Sequence, residues 1–275
     1  MRLPPAIVGA GLVLLLVGTA VPARGRETQV GLSASGQSIS PAFEGWYPNP
    51  DGTFSLSFGY YNRNTDEVIE IPVGANNFMS PGPANQGQPT HFEPRRHWGV
   101  FAVTVPANFD PQGEVMWTLK FRGEIFEIPG HLNPLYQIDA LEGEAGSGNT
   151  PPIVRIGASG PEGQGPGGIT VGPLKAVAGH PLAIPVLARD DGLGGRGAPS
   201  VALAWFKHQG PGVVTFSPAT GRAPAAGGEM VTTATFSEPG DYLLRVRAND
   251  ASGVAGAGHA QCCWTNSFVQ VTVVR

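Results

Sequence analysis

The densest group of side chains able to do chemistry lies in "QPTHFEPRRHWGVF", where His91, Arg95, Arg96, His97 and Trp98 fall within eight residues. Neutral imidazoles suit zinc or copper, so His91 and His97, joined by His131 of "PGHLNP", would be the ligands of a metal site, although the spacing matches no metal motif. Arg95, Arg96 and Trp98 are the better candidates for binding, since Arg and Trp dominate interface energetics. The plain alternative is a loop feeding the strand that starts at Trp98. A second group, Asp190, Asp191 and Asp250, stands in "ARDDGLGG" and "RANDASG". Loop carboxylates of this kind serve calcium, and Asp-Gly is equally a turn former. No cofactor is expected otherwise. Nucleophile elbows, phosphate loops and H-E-x-x-H are absent from the sequence, which argues against an enzyme.

The only two cysteines, Cys262 and Cys263, are neighbours. With no third cysteine they cannot staple two sheets, which leaves free thiols, a bond between neighbours or a bond to another chain. Adjacent Cα atoms stand ~3.8 Å apart against a usual ~4.4–6.8 Å, so a neighbour bond is awkward. Cys263 shares the face of Val269, Val271 and Val273 on an extended segment, whereas Cys262 points away, so only one thiol is easily buried. An exposed thiol outside the cell meets oxidant, and a vicinal disulfide acting as a rigid turn before the last strand is the expectation.

Strands must position these residues. In "TFSLSFGYYN" Phe54, Leu56, Phe58 and Tyr60 share one face; in "EVMWTLKFRGEIFEI" Val115, Trp117, Leu119 and Phe121 do so, with Arg122-Gly123 closing a hairpin. "VIEIPVG" and "WGVFAVTVP" supply two more strands in a first domain over residues 41–140. Residues 141–152, "LEGEAGSGNTPP", read as a linker. Seven further strands follow over 153–275: "IVRIGA", "PLAIPVLA", "SVALAWFK", "GVVTFSP", "MVTTATF", "DYLLRVRAND" and "FVQVTVV". In the sixth, Tyr242, Leu244, Val246 and Ala248 face a core while Leu243, Arg245, Arg247 and Asn249 face out. The fold class is all-β, two antiparallel sandwiches. Gly and Pro together number 67 of 275 residues (40 + 27), which many short strands and turns account for.

Residues 1–23 read as a cleaved signal peptide: Arg2, the apolar run "AIVGAGLVLLLVGTA", then small residues up to Ala23. Residues 24–40 are expected to be a flexible lead-in. Removing Arg2 leaves 16 basic against 21 acidic residues, a formal charge of −5 (17 − 1 − 21). Nucleic acid is thereby an unsuitable partner, since binding it needs a basic face. The mature chain carries no further apolar run of membrane-spanning length, and the periplasm or the outside of the cell is the expected location.

From "NTPPIV" through "GHPLAIPVLARDDG", "LAWFKHQGPGVVTFSP", "TTATFSEPGDYLLRVRANDASG" and the closing "VQVTVV", the second domain resembles PKD-related immunoglobulin-like modules of bacterial secreted and surface proteins. Pro239-Gly240 makes the turn and Tyr242 takes the place of the corner tyrosine; the "WDFGDG"-type stretch common in PKD domains is missing. The resemblance implies a spacer or adhesion module, with a protein or glycan of the cell envelope as partner. The first domain is similar to domains of uncharacterised exported bacterial proteins, which implies nothing about activity. The function expected is therefore non-catalytic binding or structure. The alternatives are a secreted enzyme or metal protein built around His91 and His97, and a subunit of a cell-surface assembly.

Overall fold

A computed structural model describes residues 32–143, 147–193, 199–254 and 259–275. The expected signal peptide lies outside the described residues. Leu32–Arg275 form one compact unit. Its first part supplies β1 (Ile39–Pro48), β2 (Phe54–Asn62), β3 (Ile69–Glu70), β4 (Asn77–Ser80), β5 (His91–Phe92), β6 (Arg95–Val105), β7 (Val115–Phe121) and β8 (Glu124–Gly130). The second supplies β9 (Ile153–Ile156), β10 (Glu162–Gly163), β11 (Ile169–Val177), β12 (Leu182–Arg189), β13 (Ser200–Gln209), β14 (Val214–Ser217), β15 (Thr220–Pro224), β16 (Gly228–Phe236), β17 (Gly240–Asn249) and β18 (Trp264–Val274). The protein is all-β, and the described residues contain no α-helix.

In the first sandwich a sheet ordered β1-β2-β6 faces one ordered β4-β7-β8, with the pair β3-β5 alongside. The alternating faces read from the sequence meet in one core, where Leu56, Phe58, Phe101, Trp117 and Leu119 are buried. Phe58 and Phe101 stack at 5.2 Å and Trp117 meets Phe101 edge-on at 5.2 Å, offset geometries that aromatic quadrupoles favour. The buried indole is answered: Trp117 Nε1 donates to Asn77 Oδ1 at 3.0 Å. The hairpin turn falls at Arg122 and Gly123, both at positive φ, which is what a two-residue turn of this hand demands. Ser33 and Ala34, within the expected flexible lead-in, accept from the backbone N–H groups of Thr65 at 2.9 Å and Asp66 at 3.0 Å.

The second sandwich pairs a sheet ordered β10-β9-β12-β16-β14 with one ordered β11-β18-β17-β13-β15. Ile184, Val186, Leu203, Trp205, Phe236, Leu244, Val246 and Val269 fill the space between them. The Tyr242 hydroxyl donates to Glu238 O at 2.8 Å, the corner bond of an immunoglobulin-like sandwich. Ten strands replace the seven expected. β11 escapes an alternation search because Gly172 and Pro173 interrupt it, and its register with β18 slips there. That pair is also parallel, so the sandwich is not wholly antiparallel.

The expected outward, solvated face of β17 needs a larger correction. Arg245 is 2% exposed and Leu243 packs on the core of the first sandwich. The first sandwich covers that face, so two sides of one strand are buried for different reasons. Phe268 of β18 likewise belongs to the first sandwich's core.

Candidate functional site

The residues singled out between His91 and Trp98 lie along β5 and β6, where the two sandwiches meet. Four strands converge there: β5 and β6 from the first sandwich, and β13 and β17 from the second. Thr90 N donates to His208 O at 2.9 Å, joining the two by main chain. His91 Nδ1 donates to Glu70 Oε1 at 2.6 Å, and the same oxygen accepts from Lys207 Nζ at 2.9 Å. Lys207, 7% exposed, also donates to Gly212 O at 2.6 Å. His91 Nε2 lies 3.2 Å from Glu93 Oε1, so each ring nitrogen of His91 has a carboxylate beside it.

His97 stacks on Tyr60 at 4.9 Å and meets Phe206 edge-on at 6.0 Å. Its Nε2 donates to Pro94 O at 3.1 Å, while its Nδ1 is buried without a partner. Arg245 and Arg247 lie over the same Phe206 ring at 4.5 and 5.3 Å. His208 Nε2 donates to Gly87 O at 2.7 Å, and its ring packs at 5.1 Å on Phe268. Gly99, at φ +45°, is pressed against Trp264, where a Cβ would come within 2.6 Å of the indole.

Burial and neighbouring charge set the titration of this seam. Burial pulls the His91 imidazole down, but the hydrogen bonds and charges of Glu70 and Glu93 outweigh it and leave it raised. Burial raises Glu70, and the bonds from His91 and Lys207 more than offset this, so it ends lowered. Glu93 is lowered chiefly by the hydrogen bond from His91. Burial, helped by the charge of Arg245, pushes His97 down to about 4 and His208 down to about 3. Arg245 itself is brought down to about 9 by burial and then by Arg247.

The other expected site residues divide. Arg96 pairs with Glu44 through Nη2 at 2.6 and 2.7 Å and lies 4.8 Å over the Trp98 ring; Arg95 lies over Tyr61 at 5.2 Å. His131 packs on Phe43 and Tyr136, held by ring contacts of its own. Asp190, Asp191 and Asp250 are near enough to feel one another's charge: Asp190 is raised by burial and then, among the charges, by Asp191 and Asp250. Each carboxylate also caps its own loop, on Gly192 N, Leu193 N and Ser252 N respectively. Among the described residues no group of three or more His, Cys, Asp and Glu is placed to hold a metal ion. The Cys262 and Cys263 sulfur atoms are in contact. Cys263 is buried against Asn149 O, and both residues line a cavity of about 440 Å³ with Asn149, Ser252 and Ala260.

Arg245 and Arg247 were missed as site residues because they were assigned to an outward face, and Lys207 and His208 were not singled out at all. Phe206 and His208, two rings at alternate positions of β13, are the signal that this side of the strand is covered.

Fold and site together define the class: an all-β protein of two sandwiches joined through a buried, charged seam. No protein-family model and no curated protein matches the chain. Among solved structures, the D00-D0 domain of intimin is 10% identical, covering 86% of this chain and 100% of that one at a TM-score of 0.28. The D0-D1 domain of intimin is 12% identical, with 86% and 97% covered and a TM-score of 0.25. Domains 4 and 5 of the S-layer protein SbsC are 11% identical, with 87% and 98% covered and a TM-score of 0.23. Likenesses at this level carry no functional argument. No helix among the described residues is long and apolar enough to cross a membrane.

Proposed function

We propose that this is an exported, non-catalytic protein of the cell envelope or surface, in which the PKD-related second sandwich serves as a spacer or adhesion module that presents the first to a protein or glycan partner. The observation that carries the reading is the Lys207–Glu70–His91 link. His91, Glu70 and Lys207 are spent on one another, across a contact between sandwiches. Such a seam holds two modules in a fixed relation. The signal-like residues 1–23 support export. The sulfur contact supports a Cys262–Cys263 disulfide formed after export, fixing the chain just before β18.

Fractionation of producing cells, followed by mass spectrometry and cross-linking to envelope components, tests the proposal. The mature chain is expected to start near Val21 or Arg24 and to cross-link to an envelope partner. Recovery in the cytoplasm with Met1 intact would overturn it.

A further inference from the structure

Beyond the seam, the outward face of the β17 sheet carries Arg247 and, across β13, Arg222, neither of which forms an ion pair among the described residues. The antiparallel registers place Arg247 of β17 opposite Ala204 of β13, and Ala204 opposite Thr220 of β15. One row along, Asn249 is opposite Ala202, and Ala202 opposite Arg222. Two alanines in the central strand make a low floor between taller rims. The result is a cleft of about 330 Å³ lined by Ala202, Ala204, Thr220, Arg222, Arg247 and Asn249.

Asn249 Nδ2 donates to Asp250 O at 2.9 Å, but the arginines of this cleft have no acidic partner within ion-pair distance among the described residues. The Arg247 guanidinium lies over the Phe206 ring at 5.3 Å and makes no hydrogen bond among the described residues, and its Nε is buried without a partner. Arg245, two residues back on the same face, has a buried, unpartnered Nε as well. Among the described residues no carboxylate comes within 4.0 Å of Arg222, Arg245 or Arg247, every ion pair lying elsewhere. Arg222 is exposed and held only by Ser200 Oγ at 3.1 Å. Buried cations and donors are costly unless paired, and native structures leave few of them open. The chain as a whole is acidic, with a formal charge of −4, so a general attraction for anions does not account for this local excess of positive charge.

We infer that the cleft binds a small organic carboxylate of sugar-acid size, its carboxylate held by Arg247 with Arg222 closing the rim. A guanidinium fork matches a carboxylate in plane and spacing. The volume sits at the small end of ligand clefts, and methyl floor with Thr220 and Asn249 at the sides suits a compact body bearing hydroxyls. The inference stands whether or not the chain is exported.

Calorimetric titration of the intact protein with D-galacturonate, galactose, acetate and sulfate tests it. Saturable binding of galacturonate is expected, with none for galactose and weaker binding of acetate and sulfate. Arg247→Gln and, separately, Arg222→Gln should each weaken galacturonate by about tenfold or more, the loss of one charged hydrogen-bonding partner. Arg222 is exposed, so its variant keeps the fold, which an unchanged thermal midpoint would verify. No saturable heat with galacturonate, or unchanged affinity in the Arg222 variant, would overturn the inference. Acetate or sulfate binding as tightly as galacturonate would overturn the assignment of a sugar-sized ligand.

Discussion

Acidification from pH 8 to pH 5 should loosen the seam, and His208 and His97 set the size of the effect. Both are buried as neutral rings: burial and the charge of Arg245 hold His208 at about 3 and His97 at about 4, against 6.5 in the unfolded chain. Their folded values are depressed, so the folded chain binds fewer protons. The stability they contribute is whole above 6.5 and is lost as the pH falls below it. At pH 5 the folded rings are still neutral, so the loss follows from the unfolded value alone. The gap is about 1.5 pH units at about 1.36 kcal/mol each, or about 2 kcal/mol per histidine and about 4 for the two. His91 works the other way. Its value is raised by Glu70 and Glu93 in spite of burial, so its contribution grows as the pH falls and offsets part of the loss. Glu70 and Glu93, both lowered, keep their contribution at pH 5, since it is lost only as the pH falls from the ordinary 4.5 through their folded values. Urea unfolding followed by tryptophan fluorescence should therefore show a net loss of about 2–4 kcal/mol between pH 8 and pH 5, and His208→Gln should remove about 2 kcal/mol of that dependence. A stability that is flat or rising toward pH 5, or a His208→Gln variant with undiminished dependence, would refute the reasoning.

Phe268→Ala should cost about 3–5 kcal/mol, as buried Phe truncations do; because Phe268 sits on β18 yet packs in the first sandwich's core, hydrogen exchange should rise in β2 and β7 as well as β18. Exchange confined to the second sandwich would show that the seam does not couple them. Limited proteolysis should cut within residues 141–152, and the two fragments should still co-elute on gel filtration, held by the bonds from Thr90, Lys207 and Asn266. Independent elution would mean that the seam is too weak to hold them. Mass spectrometry of unreduced, alkylated protein should find no alkyl group on Cys262 or Cys263, and two alkyl groups on that peptide would discard the disulfide.

Local signals were legible in the sequence. The faces of β2, β7 and β17 follow from a period of two, the Arg122-Gly123 turn from its residues, and the Tyr242 corner from its place after Pro239-Gly240. Pairing partners were not legible, since alternation groups side chains by face without saying what lies opposite. For that reason Arg245 was assigned to solvent, and Ser55 and Ser57, which alternate with the core-facing Leu56 and Phe58 of β2, are nevertheless 2% and 1% exposed. Gly167 N, more than a hundred residues on, donates to Tyr47 Oη beside that face. The cluster at His91–Trp98 was found by residue type. Its meaning depends on Glu70, Lys207, His208 and Arg245, which only the fold brings to it.

A polar seam of this kind adds little net stability, because desolvating the charges consumes most of what their attraction returns. It is strict in another respect. Lys207 reaches Glu70 and Gly212 O, Asn266 Nδ2 reaches Gly99 O at 2.7 Å, and His208 reaches Gly87 O. Sliding either sandwich by one residue would strand Lys207, His208 and Asn266 together, and all three are buried. Stranding a buried charge costs more than pairing it gains. An apolar seam of equal area would tolerate many registers, whereas the hydrogen bonds of this one form in a single arrangement. The fixed relation of the two sandwiches is thus the property that these histidines and cations supply.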